Sequence, residues 1–297
     1  MLTVRTGATS QEVLQGAQHI LFVEGTKDGL DVTVLHELLT PKLRVEPLGA
    51  SFSVRSVATA LHEFHPEYWF VIDRDDWDDA TVDASWGGFP DPAKDNLLIW
   101  RRKELENHFL EPAWVCNSKY FKPGKTSVDL GLWLAVEASK VLWLEAANRV
   151  LIAKRNRVKR SPGSLLKQGD LYGCSRDQVV EKLVSSPLLQ DLATTAKKEL
   201  AKQRVRLDFD KEVEVLSGGN TPLTWGHGRW RDLMSSKAFF HSMVSEWFVV
   251  PDNSKGGNAR LSGRSAQRAV AVDLLRSHQD TMPQDFSALK QMLDQVV

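Results

Sequence analysis

Two short apolar runs, His19-Ile20-Leu21-Phe22-Val23 and Tyr68-Trp69-Phe70-Val71-Ile72, each end directly on an acid, Glu24 and Asp73. Continuous apolar runs of this length are the pattern of strands buried on both faces, as in parallel sheets covered by helices. Residues 27–39 and 54–64 repeat apolar positions three and four apart and read as amphipathic helices; residues 43–48 read as a strand between them. A fourth strand is expected over 96–100. This β-α-β-α-β order predicts an α/β fold with a mostly parallel sheet flanked by helices, in which ligand chemistry sits at the carboxyl ends of the strands. Glu24 and Asp73 both stand at such an end.

Residues 77–94 carry Asp78, Asp79, Asp83, Gly87, Gly88, Pro90 and Pro92 without periodicity, which predicts a loop beside the site. Beyond Pro112 the pattern becomes helical, over 129–153, 176–203, 229–248, 264–276 and 285–296, with breaks at 122–125, 161–163, 217–222 and 252–263. The expected organisation is a catalytic α/β domain over 1–115 and a mainly helical accessory domain over 116–297. Thirty-eight basic and 38 acidic residues cancel, so any affinity for nucleic acid must come from local clusters. Cys116 and Cys174 are far apart with no CxxC spacing, which argues against a zinc ribbon and a disulfide framework and fits a reducing cytoplasm. The first ten residues lack the apolar core of a signal peptide, and no run approaches the roughly 20 apolar residues of a membrane span, so a soluble cytoplasmic protein without a membrane partner is expected.

The chemistry-bearing residues fall in three groups. Gly25 lets the chain turn sharply after Glu24, so that Asp28 faces the same mouth; the bland alternative is that Asp28 caps a helix. In extended chain Asp73 and Asp75 share a face and can converge on one divalent ion. Magnesium, with manganese as a substitute, suits such carboxylate oxygens, and no Cys/His cluster offers zinc a site. The third group is Arg101-Arg102-Lys103-Glu104-Leu105-Glu106-Asn107-His108. Glu104 and Glu106 share a face if the chain is extended and diverge if it is helical, and the sequence leaves both open. His108, beside these acids, is placed to orient a water or contact phosphate. No GxxxxGK followed by Ser or Thr occurs, so ATP hydrolysis of that kind would belong to a partner. Lys154, Arg155, Arg157, Lys159 and Arg160 form the densest basic run, readable as a grip on a phosphate backbone or as a solvated helix end. Lys197, Lys198, Lys202, Arg204 and Arg206 form a second basic face, whose mixture with Glu199 makes it an exposed helix, and the glycine-flanked Arg260, Arg264 and Arg268 read as another phosphate-facing strip.

LFVEGTKDGLD, VIDRDD and RRKELENHFLEP together resemble the TOPRIM domain, in the branch of the overcoming-lysogenization-defect nucleases and the TOPRIM effector subunit of the PARIS anti-phage system, over roughly residues 17–115. The segment Gly226–Lys237 is similar, less specifically, to a GKxxL-type segment of that effector's second domain. The resemblance implies a Rossmann-like TOPRIM fold and a Mg²⁺-dependent endoribonuclease. Glu24 matches the family's first glutamate, a general acid/base or metal ligand, and Asp28 its companion acid. Asp73 and Asp75 match the metal-binding DxD pair, Glu104 and Glu106 the third acidic element, and Lys103 a phosphate or transition-state contact. It further implies a toxin that cuts host tRNA, lysine tRNA foremost, and acts as a homodimer. An AAA/ABC-class ATPase subunit would hold it inactive until a phage trigger is sensed. Arg74 and Asp76 replace the small residues common around the DxD of topoisomerases and primases, which disfavours those branches. A DNA endonuclease or nickase is the alternative enzyme, and a non-catalytic assembly module the alternative class.

Overall fold

The computed structural model describes residues 19–39, 41–91, 96–159, 175–254 and 259–297. Its sheet has four parallel strands, β1 (His19–Val23), β2 (Leu43–Pro47), β3 (Tyr68–Ile72) and β4 (Leu97–Ile99), in the order β2-β1-β3-β4. Every residue of β3 is buried, which is why it reads as an unbroken apolar run instead of an alternating one. Phe22 is level with Phe70, and their rings stack 5.3 Å apart.

The chain leaves β1 through α1 (Leu30–Leu38) to β2 on one side, then returns through α2 (Ser51–Leu61) to β3 on the other. It continues through α3 (Asp79–Gly88) to β4. The winding therefore reverses between β1 and β3, and the crevice at their carboxyl ends is a topological switch point, the usual ligand position in open α/β sheets.

Two expectations change here. The first helix begins at Leu30, not at residue 27, because Gly29 precedes it in extended backbone (φ −71°, ψ 162°), and this puts Asp31 in its first turn. The region expected to be a loop contains α3. Asp78 caps it by accepting from the Thr81 N–H at 2.8 Å, and Val82 and Trp86, one turn apart, are buried. Two inward residues are too few to display a period. Pro92 lies outside the described residues.

Past β4 come a 3₁₀ turn (Leu105–Phe109), α4 (Pro112–Val115), α5 (Ser127–Lys159), α6 (Arg176–Val184) and α7 (Pro187–Glu199). These are followed by α8 (Lys202–Ser217), α9 (Trp230–Leu233), α10 (Lys237–Trp247), α11 (Gly263–Ser277) and α12 (Gln284–Asp294). The single helix expected over 176–203 is α6, α7 and the start of α8; Pro187 makes the first break, because it cannot continue one helix but can open the next. The one expected over 229–248 is also two, parted at Ser235 and Ser236.

Among the described residues the chain forms two compact units, one of residues up to Glu137 with Arg231–Val297 and one within Ala138–Trp230. In the first unit α11 packs on α1 and α10, and Phe286 of α12 meets Trp100 at 5.7 Å and Trp114 at 6.0 Å. Burying such a ring contributes roughly 2–3 kcal/mol, so α12 shares the core of the α/β region. In the second unit Trp143 stacks on Phe209 at 6.0 Å. Among the described residues no helix is long and apolar enough to cross a membrane.

Candidate functional site

Because Val23 is level with Val71, the next residues bring Glu24 beside Asp73. The Asp73 N–H donates to Glu24 Oε1 at 2.8 Å, and Asp73 Oδ1 accepts from the Leu105 N–H at 3.0 Å. Gly25 makes the turn out of β1 at φ +94°, a conformation strained for other residues, and its N–H bonds to the Gly49 carbonyl at 2.8 Å. A Cβ on Gly25 would sit 3.7 Å from Asp31 Oδ2, so the first turn of α1 returns its carboxylate to the strand ends.

Glu104 lies in extended backbone immediately before the 3₁₀ turn that carries Glu106. Glu104 Oε2 accepts from the Ser236 N–H at 2.7 Å, Ser236 Oγ at 3.1 Å and the Lys237 N–H at 3.2 Å. Ser235 Oγ donates to Glu104 Oε1 at 3.0 Å. Lys237 Nζ stands 3.7 Å from both Asp73 Oδ2 and Glu104 Oε1. Glu106 lines a cavity of about 560 Å³ together with Asp28, Asp31 and Lys237. The acidic turn thus has mixed geometry, and both glutamates belong to the site. Asn107, fully buried, fastens it: Oδ1 accepts from the Glu104 N–H at 2.9 Å and Ser236 Oγ at 2.8 Å. Its Nδ2 donates to the carbonyls of Arg231 at 2.7 Å and Met234 at 3.0 Å.

Burial pushes Glu24 up to about 7, against the stabilising Asp73 N–H, with repulsion from Asp75 and Asp31 added. Burial likewise pushes Glu106 up to about 7; Asp31 adds to the rise and Lys237 opposes it. Asp73 is held well above the carboxylate range by burial and then by Asp31 and Glu24. Asp31 is raised by burial, which Lys237 only partly offsets. Burial alone would lower Lys237, but Asp73, Glu106, Glu104 and Asp31 outweigh it and keep the ammonium charged.

Crowded carboxylates of this kind suit a hard divalent cation, which would relieve their repulsion. Among the described residues, no three His, Cys, Asp or Glu side chains form a closed metal-holding group. The acids act on each other's charge at distances over which their oxygens do not converge. By donor type alone, Glu24 and Asp73, joined by the Asp73 N–H, are the pair that would hold Mg²⁺ or Mn²⁺, with Asp31 turned toward the same strand ends; Asp73 Oδ2 is also the partner of Lys237. Glu104 is already committed to Ser235, Ser236 and Lys237.

Other expected residues sit differently. Asp28 is exposed on the cavity rim. Asp75 does not share a buried face with Asp73: the chain leaves the strand after Ile72, and Asp75 is exposed with φ +46°, its N–H bonded to the Lys103 carbonyl at 3.1 Å. Lys103 is half-buried, its N–H bonded to the Asp232 carbonyl at 2.7 Å, and its charge acts on Asp75. His108 is not at the site. It is fully buried, bonded to the Leu105 carbonyl at 3.1 Å and Asp285 Oδ2 at 3.0 Å, and stacked on Phe286 at 4.8 Å.

The basic run is partly consumed internally. Lys154 is buried, with Nζ 2.9 Å from Glu199 Oε2 and 2.5 Å from Asp208 Oδ2, and Arg157 reaches the same two carboxylates. Together they pull Glu199 down to about 2. Arg155 is exposed, Lys159 closes α5, and Arg160 lies outside the described residues. The residues that sequence reasoning did not assign are Asp31, Lys237, Asn107, Ser235 and Ser236. Asp31 had a legible signal, since Gly29 delays the helix and Asp31 then falls in its first turn.

Comparisons with family models, with curated proteins and with solved structures give no match.

Proposed function

We propose that the acid cluster is the active centre of a divalent-metal-dependent phosphodiesterase that cleaves nucleic acid. The observation that carries this reading is the gathering of Glu24, Asp73, Asp31, Glu106 and Lys237 at the switch point of a parallel sheet. When bound, Mg²⁺ supplies charge neutralisation at the phosphate and a more acidic water. Glu106, raised by burial to about 7 and not among the acids assigned to the ion, exchanges a proton with water or the leaving oxygen, while Glu24 gives up its own proton to take part in holding the ion. Lys237, kept charged, faces the negative charge that develops on the phosphoryl oxygens. Glu104 acts through position: it fixes Ser236 and the Lys237 backbone, and with them the ammonium.

The finer reading rests on the resemblance of the three acidic strings to TOPRIM nucleases of the PARIS-effector kind. It makes the chain a tRNA-cutting toxin that works as a homodimer and is restrained by an ATPase subunit. Incubating the purified chain with Mg²⁺ or Mn²⁺ and either tRNA or plasmid tests both levels. The expected result is metal-dependent tRNA cleavage that Glu24→Gln abolishes. Cleavage of plasmid alone redirects the assignment to a DNA endonuclease, and inertness toward both nucleic acids with both metals overturns the phosphodiesterase.

A further inference from the structure

The cavity beside the acid cluster has a basic wall. Besides Asp28, Asp31 and Glu106 it is lined by Lys237 and His241 of α10 and by Arg264 and Arg268 of α11. Arg264 and Arg268 are four residues apart and so share one helix face. The packing of α11 on both α1 and α10 fixes that face across from the helix that carries Asp31. A nucleic acid approaching a cluster of carboxylates is repelled, and Lys237 is already shared between Asp73 and Glu104. Countercharge for further phosphates must come from elsewhere on the wall. Guanidinium groups suit that task, because their planar fork of donors matches two phosphate oxygens at once.

We infer that Arg264 and Arg268 form a phosphate clamp, a binding subsite for a backbone phosphate adjacent to the one cleaved at the acids. At about 560 Å³ the cavity is of a size that encloses a small ligand, so it holds one nucleotide unit of a chain and not a duplex segment. The substrate class this selects is single-stranded or locally unpaired polynucleotide, with a phosphate on each side of the enclosed unit. The identity of the ligand rests on the phosphodiesterase reading, while the clamp itself can be tested without catalysis.

The test is fluorescence anisotropy of the full chain with a labelled single-stranded RNA oligonucleotide, and with a hairpin lacking unpaired ends, over a range of KCl and without divalent metal. Arg264→Gln and Arg268→Gln are each expected to weaken single-strand binding about tenfold at low salt. Each should also lower the slope of log affinity against log salt by about 0.7, the loss of one phosphate contact on a single strand. Arg264→Lys should restore most of the slope. Arg276→Gln, on the same helix but paired with Glu37, should bind as the parent does. Unchanged affinity and slope in both arginine variants overturn the clamp, and equal binding of the hairpin overturns the single-strand preference. Loss of binding in those variants, in a chain that cuts no nucleic acid, keeps the clamp and overturns the phosphodiesterase instead.

Discussion

The Ser236 backbone N–H donates to Glu104 Oε2 at 2.7 Å across 132 positions of sequence. Asn107 sits beside this bond and joins the acidic turn to both Arg231 and Met234. Asn107→Ala leaves the Ser236–Glu104 bond but removes the four bonds that Asn107 makes, to the Glu104 N–H, Ser236 Oγ and the carbonyls of Arg231 and Met234, and leaves buried groups without those partners, each costing roughly 1–3 kcal/mol. A loss of about 3 kcal/mol in urea unfolding is expected, with cleavage falling in parallel. A loss below about 1 kcal/mol would show that the turn is held by other contacts.

Lys237→Met leaves the fold intact, because the side chain is 59% exposed, but strips the only cation that reaches both Asp73 and Glu104 among the ion pairs of the described site. Cleavage should fall at least about a hundredfold, while the thermal midpoint stays within a few degrees. Comparable loss of both would make Lys237 a structural residue.

Protons and metal compete for the same acids. Glu24 and Glu106 move from the ordinary 4.5 to about 7 in the folded chain, so between those values the folded state binds more protons than the unfolded one. Stability accordingly falls as pH rises through that window. Urea midpoints should decline from pH 4.5 to 7, and added Mg²⁺ should recover stability at the upper end by binding only the folded acids. Glu24→Gln should flatten the decline and reduce the magnesium gain. A gain of undiminished size in that variant would place the ion elsewhere.

Lys154 is buried between Glu199 and Asp208, so Lys154→Met removes the buried cation and leaves the more exposed Arg157 and Arg204 to balance the two carboxylates. A destabilisation of about 2 kcal/mol is expected for the unit that contains it, tempered by the partial exposure of the pair. Fluorescence of Trp143, stacked on Phe209 in the same unit, reports it. An unaltered transition would return Lys154 to the candidates for phosphate contact.

How much of this could be read from the chain follows from range. Strands β1 and β3 were legible because burial on both faces makes them apolar without interruption, and their terminal acids fell where parallel topology collects ligands. Asp75 misled because the two-residue alternation of extended chain ends with the strand, and a left-handed residue follows. Helix α3 hid because Asp78, Gly87 and Gly88 look like loop residues whether they cap a helix or not. The break at Ser235 and Ser236 was invisible to periodicity, since its reason is Glu104, far away in sequence.

That distance also orders events during synthesis. Glu104 leaves the ribosome 133 residues before Lys237, the cation that completes its surroundings. A nascent chain can pair β1 with β3 and collect its carboxylates, yet it has no ammonium among them until α10 has emerged. The acid cluster therefore acquires its cation only on chains that translation has carried past α10.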